Sequence, residues 1–255
     1  MNLVEIFSSV QGEGPHVGQS TLFVRFGECD LRCRWCDSPH TWLAAKECRV
    51  ELRRGEGERR VVPNPVPIAD AIAACEALDL PAHRFVSLTG GEPLLQPAAV
   101  AALARGLRGR GPRILLETHG AAPEALAEVI DAIDVVSMDW KLASDVRRAS
   151  DPRHGPVASF HAAHERFLRI ALRAPEVVVK LVVTPASEDA EIDEAAARIA
   201  GAAPGVTVVL QPVTPFGGVR EAPGAERLLA TFLKLSRTLS DVRLIPQTHK
   251  QIGVP

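Results

Sequence analysis

The sequence predicts an α/β fold in which helices cover an open, partial barrel of parallel strands. From residue 68 onwards, short apolar runs alternate with longer segments of helical periodicity. The short runs are apolar almost throughout, which is typical of parallel strands that are buried on both faces. About seven strand candidates can be counted, too few for the eight units of a closed barrel. We therefore expect a partial (open) parallel β/α barrel.

The N-terminal part of the chain is predicted to contain strands and loops. Residues 2–7 and 21–26 are predicted strands because aliphatic, β-branched and aromatic side chains predominate there. The intervening residues 8–20 contain glycines and a proline, which indicates a loop. Residues 48–62 contain two strand-like runs around a Gly-Glu-Gly turn, which predicts a hairpin. The hairpin is rich in arginine, and we interpret it as a solvated insertion.

In the rest of the chain, each predicted strand is preceded by a predicted helix. The helices are expected over residues 68–78, 97–107, 123–130, 157–172, 188–199 and 225–240. The strands are expected over residues 84–88, 113–116, 135–138, 177–183, 206–210 and 242–245. We find no linker, no internal repeat and no low-complexity segment apart from alanine-rich helices. Residues 1–255 are therefore predicted to form one domain with a hairpin insertion at 48–62.

Charge and cysteine content limit the classes of function. The net charge of -2 gives no reason to expect nucleic acid or an anionic membrane as a partner. The first residues lack a signal-peptide pattern, and no apolar run is long enough to span a bilayer. We therefore expect a cytoplasmic, reducing setting, in which clustered cysteines are metal ligands more often than disulfides. Cys48 and Cys75 stand apart and are interpreted as structural residues.

Three cysteines occur within eight residues, in the stretch Cys29-Asp-Leu-Arg-Cys33-Arg-Trp-Cys36. Cysteine thiolates hold iron–sulfur clusters, usually four at a time. Three thiolates on one tight loop would leave one iron of a [4Fe–4S] cluster open to a ligand that is not protein. Zinc is the alternative, because His40 follows soon after Cys36 and could complete a set of four nitrogen and sulfur ligands.

Polar and glycine residues recur where the predicted strands end. Ligands of parallel α/β folds bind at the carboxyl ends of strands, and packing alone gives no reason for polar residues to recur there. The stretches in these positions are the cysteine loop, residues 89–92, 117–120 and 139–141, and Gln211. We therefore expect the functional site at this end of the sheet.

The stretch Thr89-Gly-Gly-Glu-Pro93 carries a family resemblance. Paired glycines let the backbone approach a ligand, and a glutamate can accept hydrogen bonds from a cationic amine. Together with the three cysteines, this stretch resembles the radical S-adenosylmethionine superfamily, in which cluster and S-adenosylmethionine supply radical chemistry. The Gln11-Gly-Glu-Gly14 loop, Arg25 and the Gln247-Thr-His-Lys250 segment narrow the resemblance to the 7-carboxy-7-deazaguanine synthase family.

The resemblance implies a set of cofactor ligands. Cys29, Cys33 and Cys36 are implied to bind a [4Fe–4S] cluster. The residues implied to contact S-adenosylmethionine are Trp35, Cys36, Asp37, Gly91, Glu92, Ser137, Lys141 and Gln211. Ser38 stands where the family typically has a threonine whose hydroxyl binds Mg²⁺. Since Ser38 keeps the hydroxyl and Mg²⁺ prefers oxygen ligands, we expect Ser38 to bind this ion.

The resemblance likewise implies a site for the substrate 6-carboxy-5,6,7,8-tetrahydropterin. The residues implied to contact it are Val10, Gln11, Gly12, Glu13, Arg25, Thr89 and Pro255. Arg25 offers a forked donor to the substrate carboxylate. The terminal carboxylate of Pro255 is expected to accept from the pterin amino group. His119 stands where the family has asparagine, and no role is assigned to it.

The implied activity is that of a carbon–nitrogen lyase. Radical ring contraction of the pterin, with loss of ammonia, would give 7-carboxy-7-deazaguanine for the synthesis of queuosine and other 7-deazapurines. The family resemblance further implies a homodimer and an electron donor such as flavodoxin or ferredoxin. Two alternatives remain open. One is a glycyl-radical-enzyme activating enzyme, which has the same cysteine spacing but acts on a protein. The other is a non-enzymatic zinc-binding module.

Overall fold

A long open sheet lies at the centre of the computed structural model, which describes residues 1–254. The strands are β1 (Leu3–Val10), β2 (Ser20–Phe26), β3 (Leu31–Cys33), β4 (Glu47–Glu51), β5 (Arg59–Pro63), β6 (Phe85–Gly90), β7 (Arg113–Thr118), β8 (Val135–Asp139), β9 (Val146–Arg148), β10 (Glu176–Val183), β11 (Thr207–Pro212) and β12 (Asp241–Leu244). The helices are α1 (Ile68–Ala77), α2 (Pro97–Leu107), α3 (Pro123–Val129), α4 (His161–Ala171), α5 (Asp189–Ala202), α6 (Ala225–Thr238) and α7 (Thr248–Ile252).

The strand order of the sheet confirms the predicted open, mostly parallel architecture. Within residues 1–254 the order is β12-β11-β10-β8-β7-β6-β2-β1-β4-β5, and the sheet does not close on itself. The strands from β2 through β12 in this row all pair in parallel. At the other end, β1 runs antiparallel to β2, and the β4–β5 hairpin extends the sheet alongside β1.

The apolar side chains of the parallel strands form the main core together with the helices that cover the sheet. Leu88, Leu116, Val136 and Val179 sit on four neighbouring strands, and each is fully buried. Burial of an aliphatic side chain of this size contributes about 1.5–3 kcal/mol relative to leaving it in water. Consecutive helices from α1 to α6 pack beside one another along the sheet. Within residues 1–254, no helix is both long and apolar enough to cross a membrane.

Some predicted boundaries and loops were wrong. The first strand extends to Val10 and does not give way to a loop at residue 8, since Ser8, Ser9 and Val10 continue the ladder with β2. Between the predicted strand 135–138 and the predicted helix 157–172, where no strand was predicted, the chain forms β9, which pairs with β3 inside the cysteine loop. Helix α7 near the C-terminus was not predicted. All these pieces are short and too irregular for hydrophobic periodicity to reveal them.

Candidate active site

A cavity of about 380 Å³ opens at the carboxyl ends of the parallel strands. Polar side chains from the ends of β6, β7, β8, β10 and β11 form its floor, as the strand-end pattern predicted. The loop of residues 29–38, called the cluster loop below, forms one wall. The strands β1 and β2 and the C-terminal segment 247–254 form the other walls.

The cavity brings together nearly all of the residues singled out from the sequence. Those that line it are Val10, Gln11, Gly12, Glu13, Arg25, Cys29, Cys33, Trp35, Cys36, Asp37, Ser38, Thr89, Gly91, Ser137, Lys141 and Gln211. Glu92 lies behind the wall, and Pro255 lies outside the described residues. Residues as distant in sequence as Val10 and Gln211 therefore meet at one place, as expected for a site built on strand ends.

The paired glycines at the end of β6 allow a close approach of backbone to backbone. A Cβ atom at Gly90 would lie 2.3 Å from the carbonyl oxygen of Phe26, and one at Gly91 would lie 2.1 Å from that of Glu28. The Gly91 amide donates to the Phe26 carbonyl at 3.0 Å. The glycines thus seat the start of the cluster loop against β6, and they also line the cavity. Their expected approach to a ligand stays a prediction.

Glu92 is fully buried, and its carboxylate is occupied by the protein itself. It accepts hydrogen bonds from the Leu94 amide at 3.0 Å, the Thr118 hydroxyl at 2.8 Å and the His119 amide at 2.8 Å. Glu92 therefore ties the end of β6 to the end of β7. Its expected contact with the amine of S-adenosylmethionine stays a prediction.

The cluster loop is held by backbone contacts with distant segments. Leu31 to Cys33 pair with β9, and the Arg34 amide donates to the Asp145 carbonyl at 3.2 Å. The Gly218 amide donates to the Arg34 carbonyl at 2.8 Å. The loop is therefore placed largely by its backbone, and the half-buried side chains of Cys29 and Cys33 also pack against neighbouring apolar residues.

The three cysteines form a donor set that fits an iron–sulfur cluster. Cys29, Cys33 and Cys36 are unoxidised, half-buried and exposed to the same cavity. Burial raises the pKa of Cys29 to about 12 and also raises the pKa of Cys33, so binding of metal has to displace their protons. His40, the candidate fourth zinc ligand, does not line this cavity. No group of three or more His, Cys, Asp or Glu side chains within residues 1–254 converges on a single metal ion.

Gln211 provides an independent sign that the cavity takes a polar ligand. Its side chain is 2% exposed, lines the cavity and carries a buried Oε1 with no hydrogen-bond partner within residues 1–254. A buried polar atom left unpaired costs about 1–3 kcal/mol, so such atoms are rare unless a ligand satisfies them. The three thiols and the unpaired amide oxygen of Gln211 therefore fit a cluster together with a polar cofactor.

Four charged side chains form a chain across the cavity floor, called the ion network below. Lys180 pairs with Glu13, and its Nζ lies 3.0 Å from Asp139 Oδ1. Asp139 in turn pairs with Lys141, whose Nζ lies over the Trp35 ring. The network thus joins the loop of residues 11–13, the strands β8 and β10, and the cluster loop.

Burial and pairing act in opposite directions on these groups. Burial raises the pKa of Asp139, but the ammonium groups of Lys141 and Lys180 outweigh it and hold the pKa at about 2. Burial likewise lowers the pKa of Lys180, and the carboxylates of Asp139 and Glu13 more than reverse the effect. All members of the ion network therefore remain charged at neutral pH.

The C-terminal segment closes the cavity over the loop of residues 11–13. Gln247 Nε2 donates to Glu13 Oε1 at 2.7 Å, and the Thr248 amide donates to the Gly12 carbonyl at 2.9 Å. The Lys250 ammonium lies 2.9 Å from Asp37 of the cluster loop. The C-terminal segment therefore connects the loop of residues 11–13 with the cluster loop.

Besides His119, three charged residues of the site were not assigned a role from the sequence. Glu117 accepts from Gln11 Nε2 at 2.9 Å and from the Ser87 hydroxyl at 2.6 Å. Asp139 and Lys180 are the centre of the ion network. The signal was present in each case: Glu117 and Asp139 follow apolar runs directly, and Lys180 interrupts the apolar strand β10.

Comparisons with known proteins agree with this architecture. A family model described as the radical SAM superfamily matches residues 24–199. A 7-carboxy-7-deazaguanine synthase of Geobacter sulfurreducens is 35% identical, over 98% of this chain and 96% of the relative. The synthase of Methanopyrus kandleri is 34% identical, over 99% of this chain and 93% of the relative. The crystal structure of QueE from Escherichia coli matches the fold with a TM-score of 0.57 at 21% identity, covering 97% of this chain and 93% of that one.

These matches span the cysteine loop and nearly the whole length of the chain. Membership of the radical SAM superfamily implies a [4Fe–4S] cluster and S-adenosylmethionine, for which the three cysteines and the unpaired Gln211 oxygen are suited. The chain belongs to the radical SAM superfamily and, within it, to the 7-carboxy-7-deazaguanine synthase family.

Proposed function

We propose that the protein converts 6-carboxy-5,6,7,8-tetrahydropterin to 7-carboxy-7-deazaguanine and ammonia, a step in the synthesis of queuosine and other 7-deazapurines. The product and ammonia together contain all atoms of the substrate, so the reaction needs no net oxidant. The observation that carries the proposal is the single cavity in which three free cysteines face an arginine and a row of hydrogen-bonding groups.

The cluster ligands in this proposal are Cys29, Cys33 and Cys36. When bound, the cluster and S-adenosylmethionine supply the radical that removes a hydrogen atom from the substrate. Trp35, Asp37, Ser137 and Gln211 surround the space beside the cysteines and would hold the cofactor. The unpaired Gln211 oxygen suits a hydrogen-bond donor of that cofactor, which supports this division of the cavity.

The pterin ring needs hydrogen-bond donors and acceptors at fixed positions. Gln11, Thr89 and Glu117 supply them at one end of the cavity, and their mutual hydrogen bonds hold their orientations. Arg25 stands nearby on β2 and would bind the carboxylate through a charge-assisted pair. Binding and orientation of the heterocycle are thus assigned to an amide, a hydroxyl and a carboxylate group, and recognition of its own carboxylate to Arg25.

Mg²⁺ is a finer part of the proposal. The Ser38 hydroxyl lies at the cavity wall and donates to Asp37 Oδ1 at 3.1 Å, so it can turn a lone pair towards an ion. We assign the ion to Ser38 and to the substrate carboxylate, since Mg²⁺ tolerates few protein ligands. A Ser38→Ala variant is expected to need several-fold more Mg²⁺ for half-maximal activity. If the Mg²⁺ concentration needed does not change, Ser38 is not a Mg²⁺ ligand.

The remaining assignments follow the family resemblance. We propose a homodimer of single-domain chains in the cytoplasm, with flavodoxin or ferredoxin as electron donor. The carboxylate of Pro255 is proposed as a further substrate contact. Sedimentation of the purified protein tests the dimer, and replacement of the chemical reductant by reduced flavodoxin tests the donor.

The proposed activity is tested by anaerobic incubation of the reconstituted, reduced protein with S-adenosylmethionine and the carboxylated tetrahydropterin. Mass spectrometry is expected to detect 7-carboxy-7-deazaguanine together with stoichiometric ammonia. A brown protein that cleaves S-adenosylmethionine but forms no deazapurine would instead favour an activating enzyme with a protein substrate. A colourless zinc protein would favour the binding module.

A further inference from the structure

The arginine-rich hairpin contributes to the same sheet face as Arg25. Glu5 on β1 is paired in register with Arg25 of β2 on one side and with Arg49 of β4 on the other. Arg59 of β5 reaches the same carboxylate across β4. We call these four residues, Glu5, Arg25, Arg49 and Arg59, the arginine face. The hairpin therefore lies beside the cavity rather than apart from it.

Glu5 is shared between the cavity and the hairpin. The Arg25 Nε donates to Glu5 Oε1 at 2.8 Å, and the Arg59 Nη1 donates to Glu5 Oε2 at 2.7 Å. Arg49 Nη2 is farther from the carboxylate, at 3.8 Å. The Glu5 side chain is 11% exposed, so its two strong partners are held in a largely dry setting. Each carboxylate oxygen of Glu5 thus accepts a hydrogen bond from one arginine, and the carboxylate couples Arg25 to Arg59.

Phe7 adds a second connection between the same two arginines. The guanidinium carbons of Arg25 and Arg59 lie 5.8 and 5.3 Å from the centre of its ring. Phe7 is itself stacked on Phe23 with ring centres 5.1 Å apart, and both rings line the cavity. A guanidinium over an aromatic ring has a preferred position, so Phe7 restricts where each arginine can lie.

The charges of the arginine face do not cancel. Three guanidinium groups surround one carboxylate, which leaves an excess of positive charge beside the cavity. Arg25 uses its Nε for Glu5, and within residues 1–254 its two Nη nitrogens make no hydrogen bond. The forked end of Arg25 is therefore available for an anion, and Arg59 balances the charge of Glu5 that would otherwise neutralise it.

We propose that Arg59 is a positioning residue which, through Glu5 and Phe7, holds Arg25 ready for the carboxylate of the substrate. The arginine-rich hairpin is then a part of the substrate site and contributes to selectivity for a carboxylated pterin. This inference rests on the proposed function and deepens it.

Simple attraction between a positive surface and an anion is the competing explanation. Attraction and positioning both predict weaker binding when Arg59 is lost. They differ for Glu5→Gln, which makes the face more positive but leaves one neutral amide oxygen where two carboxylate oxygens accepted from Arg25 and Arg59, so the two arginines can no longer both be held. Attraction predicts tighter binding of an anion by this variant, and positioning predicts weaker binding.

The test compares two probes that differ only in the carboxylate, 6-carboxypterin and pterin. Binding of each to the reconstituted protein with S-adenosylmethionine is measured by calorimetry for the wild type, Arg59→Met, Arg59→Lys and Glu5→Gln. Arg60→Met is the matched control, because Arg60 is the next residue of the same strand and is exposed. Thermal unfolding of each variant accompanies the titrations.

We expect Arg59→Met to weaken binding of 6-carboxypterin about ten-fold, the size of one charge-assisted hydrogen bond. Binding of pterin should not change, and Arg59→Lys should restore most of the loss because its ammonium can still donate to Glu5. Glu5→Gln should weaken binding of 6-carboxypterin as well, and Arg60→Met should bind both probes as the wild type does. In turnover, KM for the carboxylated substrate should rise while KM for S-adenosylmethionine stays constant.

Three results would overturn the inference. They are unchanged 6-carboxypterin binding by Arg59→Met, an equal loss of both probes, and tighter 6-carboxypterin binding by Glu5→Gln. Failure of the proposed function looks different, because then the wild type itself forms no deazapurine product from the carboxylated tetrahydropterin.

Discussion

The cluster loop and the ion network adjoin in one cavity but complete their polar interactions in opposite ways. In the ion network, Glu13, Lys180, Asp139 and Lys141 are paired with one another. In the cluster loop, the three cysteines are free thiols, and the neighbouring Gln211 oxygen has no partner within residues 1–254. The charges of the ion network are paired within the protein, whereas the polar groups at the cluster loop are completed by a bound ligand.

This difference separates two kinds of contribution to function. A buried ion pair that loses one member leaves an uncompensated charge, so residues of the ion network should matter for folding. A thiol at the cavity surface carries little packing, so cysteines of the cluster loop should matter for chemistry and not for folding. The predictions below test that separation, beginning with the largest expected effect.

Replacing a cluster ligand should abolish chemistry and leave the fold intact. In Cys33→Ala, only two thiolates of the loop remain, and the cluster should not assemble. We expect loss of the brown absorbance, loss of bound iron and no detectable turnover, measured by visible spectroscopy, iron analysis and product formation. The midpoint of thermal unfolding of the cluster-free protein should change by no more than about 2 °C, since less than about 1 kcal/mol of packing is removed.

Cys75→Ala is the matched control for this experiment. Cys75 is fully buried in α1, and burial raises the pKa of its thiol to about 12. Its loss should cost some stability but preserve iron content and activity. Retention of a full cluster by Cys33→Ala would contradict the assignment of the ligands.

Breaking the ion network should mainly lower the stability of the fold, the opposite of the effect expected for a cluster ligand. Lys180→Met leaves the half-buried carboxylate of Glu13 without its ammonium partner and removes one of the two partners of Asp139. We expect a loss of about 3 kcal/mol in the free energy of unfolding, which corresponds to a fall of about 10 °C in the thermal midpoint. Calorimetry of the cluster-free protein measures it.

Lys234→Met provides the comparison for Lys180→Met. Lys234 pairs with Asp193 at 2.6 Å, but its side chain is 52% exposed. Water screens such a pair, so its loss should cost less than about 1 kcal/mol. If both lysine variants unfold at the same temperature, the distinction between network and surface is wrong.

The parts of the site that could be predicted from the sequence are those carried by regular periodicity or by short motifs. Apolar runs located the strands to within a few residues, and the polar residues at their ends located the cavity. The three cysteines and the stretch at 89–93 could be recognised because they are contiguous. Their meaning does not depend on knowing the rest of the fold.

Residues that act through distant partners were harder to predict. Lys180 is one polar side chain in an apolar strand, and only the fold brings it to Glu13, far away in sequence. The pairing of β3 with β9 involves three residues on each side, too few for a periodic signal. The arginine-rich hairpin was interpreted as a solvated insertion because its charge pattern says nothing about Glu5, the partner on β1.

The smallest expected effect concerns a neutral group behind the ion network. His164 is fully buried; its Nε2 accepts from the Lys141 amide at 2.9 Å and its Nδ1 donates to the Gly120 carbonyl at 2.7 Å. Burial, the largest cause, lowers the pKa of His164 to about 3. The residue therefore connects the ends of β7 and β8 in its neutral form.

Its titration gives a pH dependence of known sign. The unfolded chain binds a proton at this histidine below pH about 6.5, whereas the folded chain does so only near pH 3. The stabilising contribution is complete above pH 6.5 and is lost as the pH falls, by about 1.4 kcal/mol per pH unit. Between pH 6.5 and 5 the loss amounts to about 2 kcal/mol.

His164→Gln should remove this part of the slope, because glutamine has no proton to gain. Urea titrations of the cluster-free protein at about pH 7.5, 6.5, 5.8 and 5.0 measure how the free energy of unfolding of wild type and variant depends on pH. The variant is expected to be less stable at pH 7.5, where two hydrogen bonds are altered, and to approach wild type at pH 5.0. His154→Gln, at an exposed loop position, should keep the wild-type slope. Parallel curves for wild type and His164→Gln would mean that His164 takes up its proton as readily in the folded chain as in the unfolded one, and that the ion network gains a cationic neighbour below about pH 6.5.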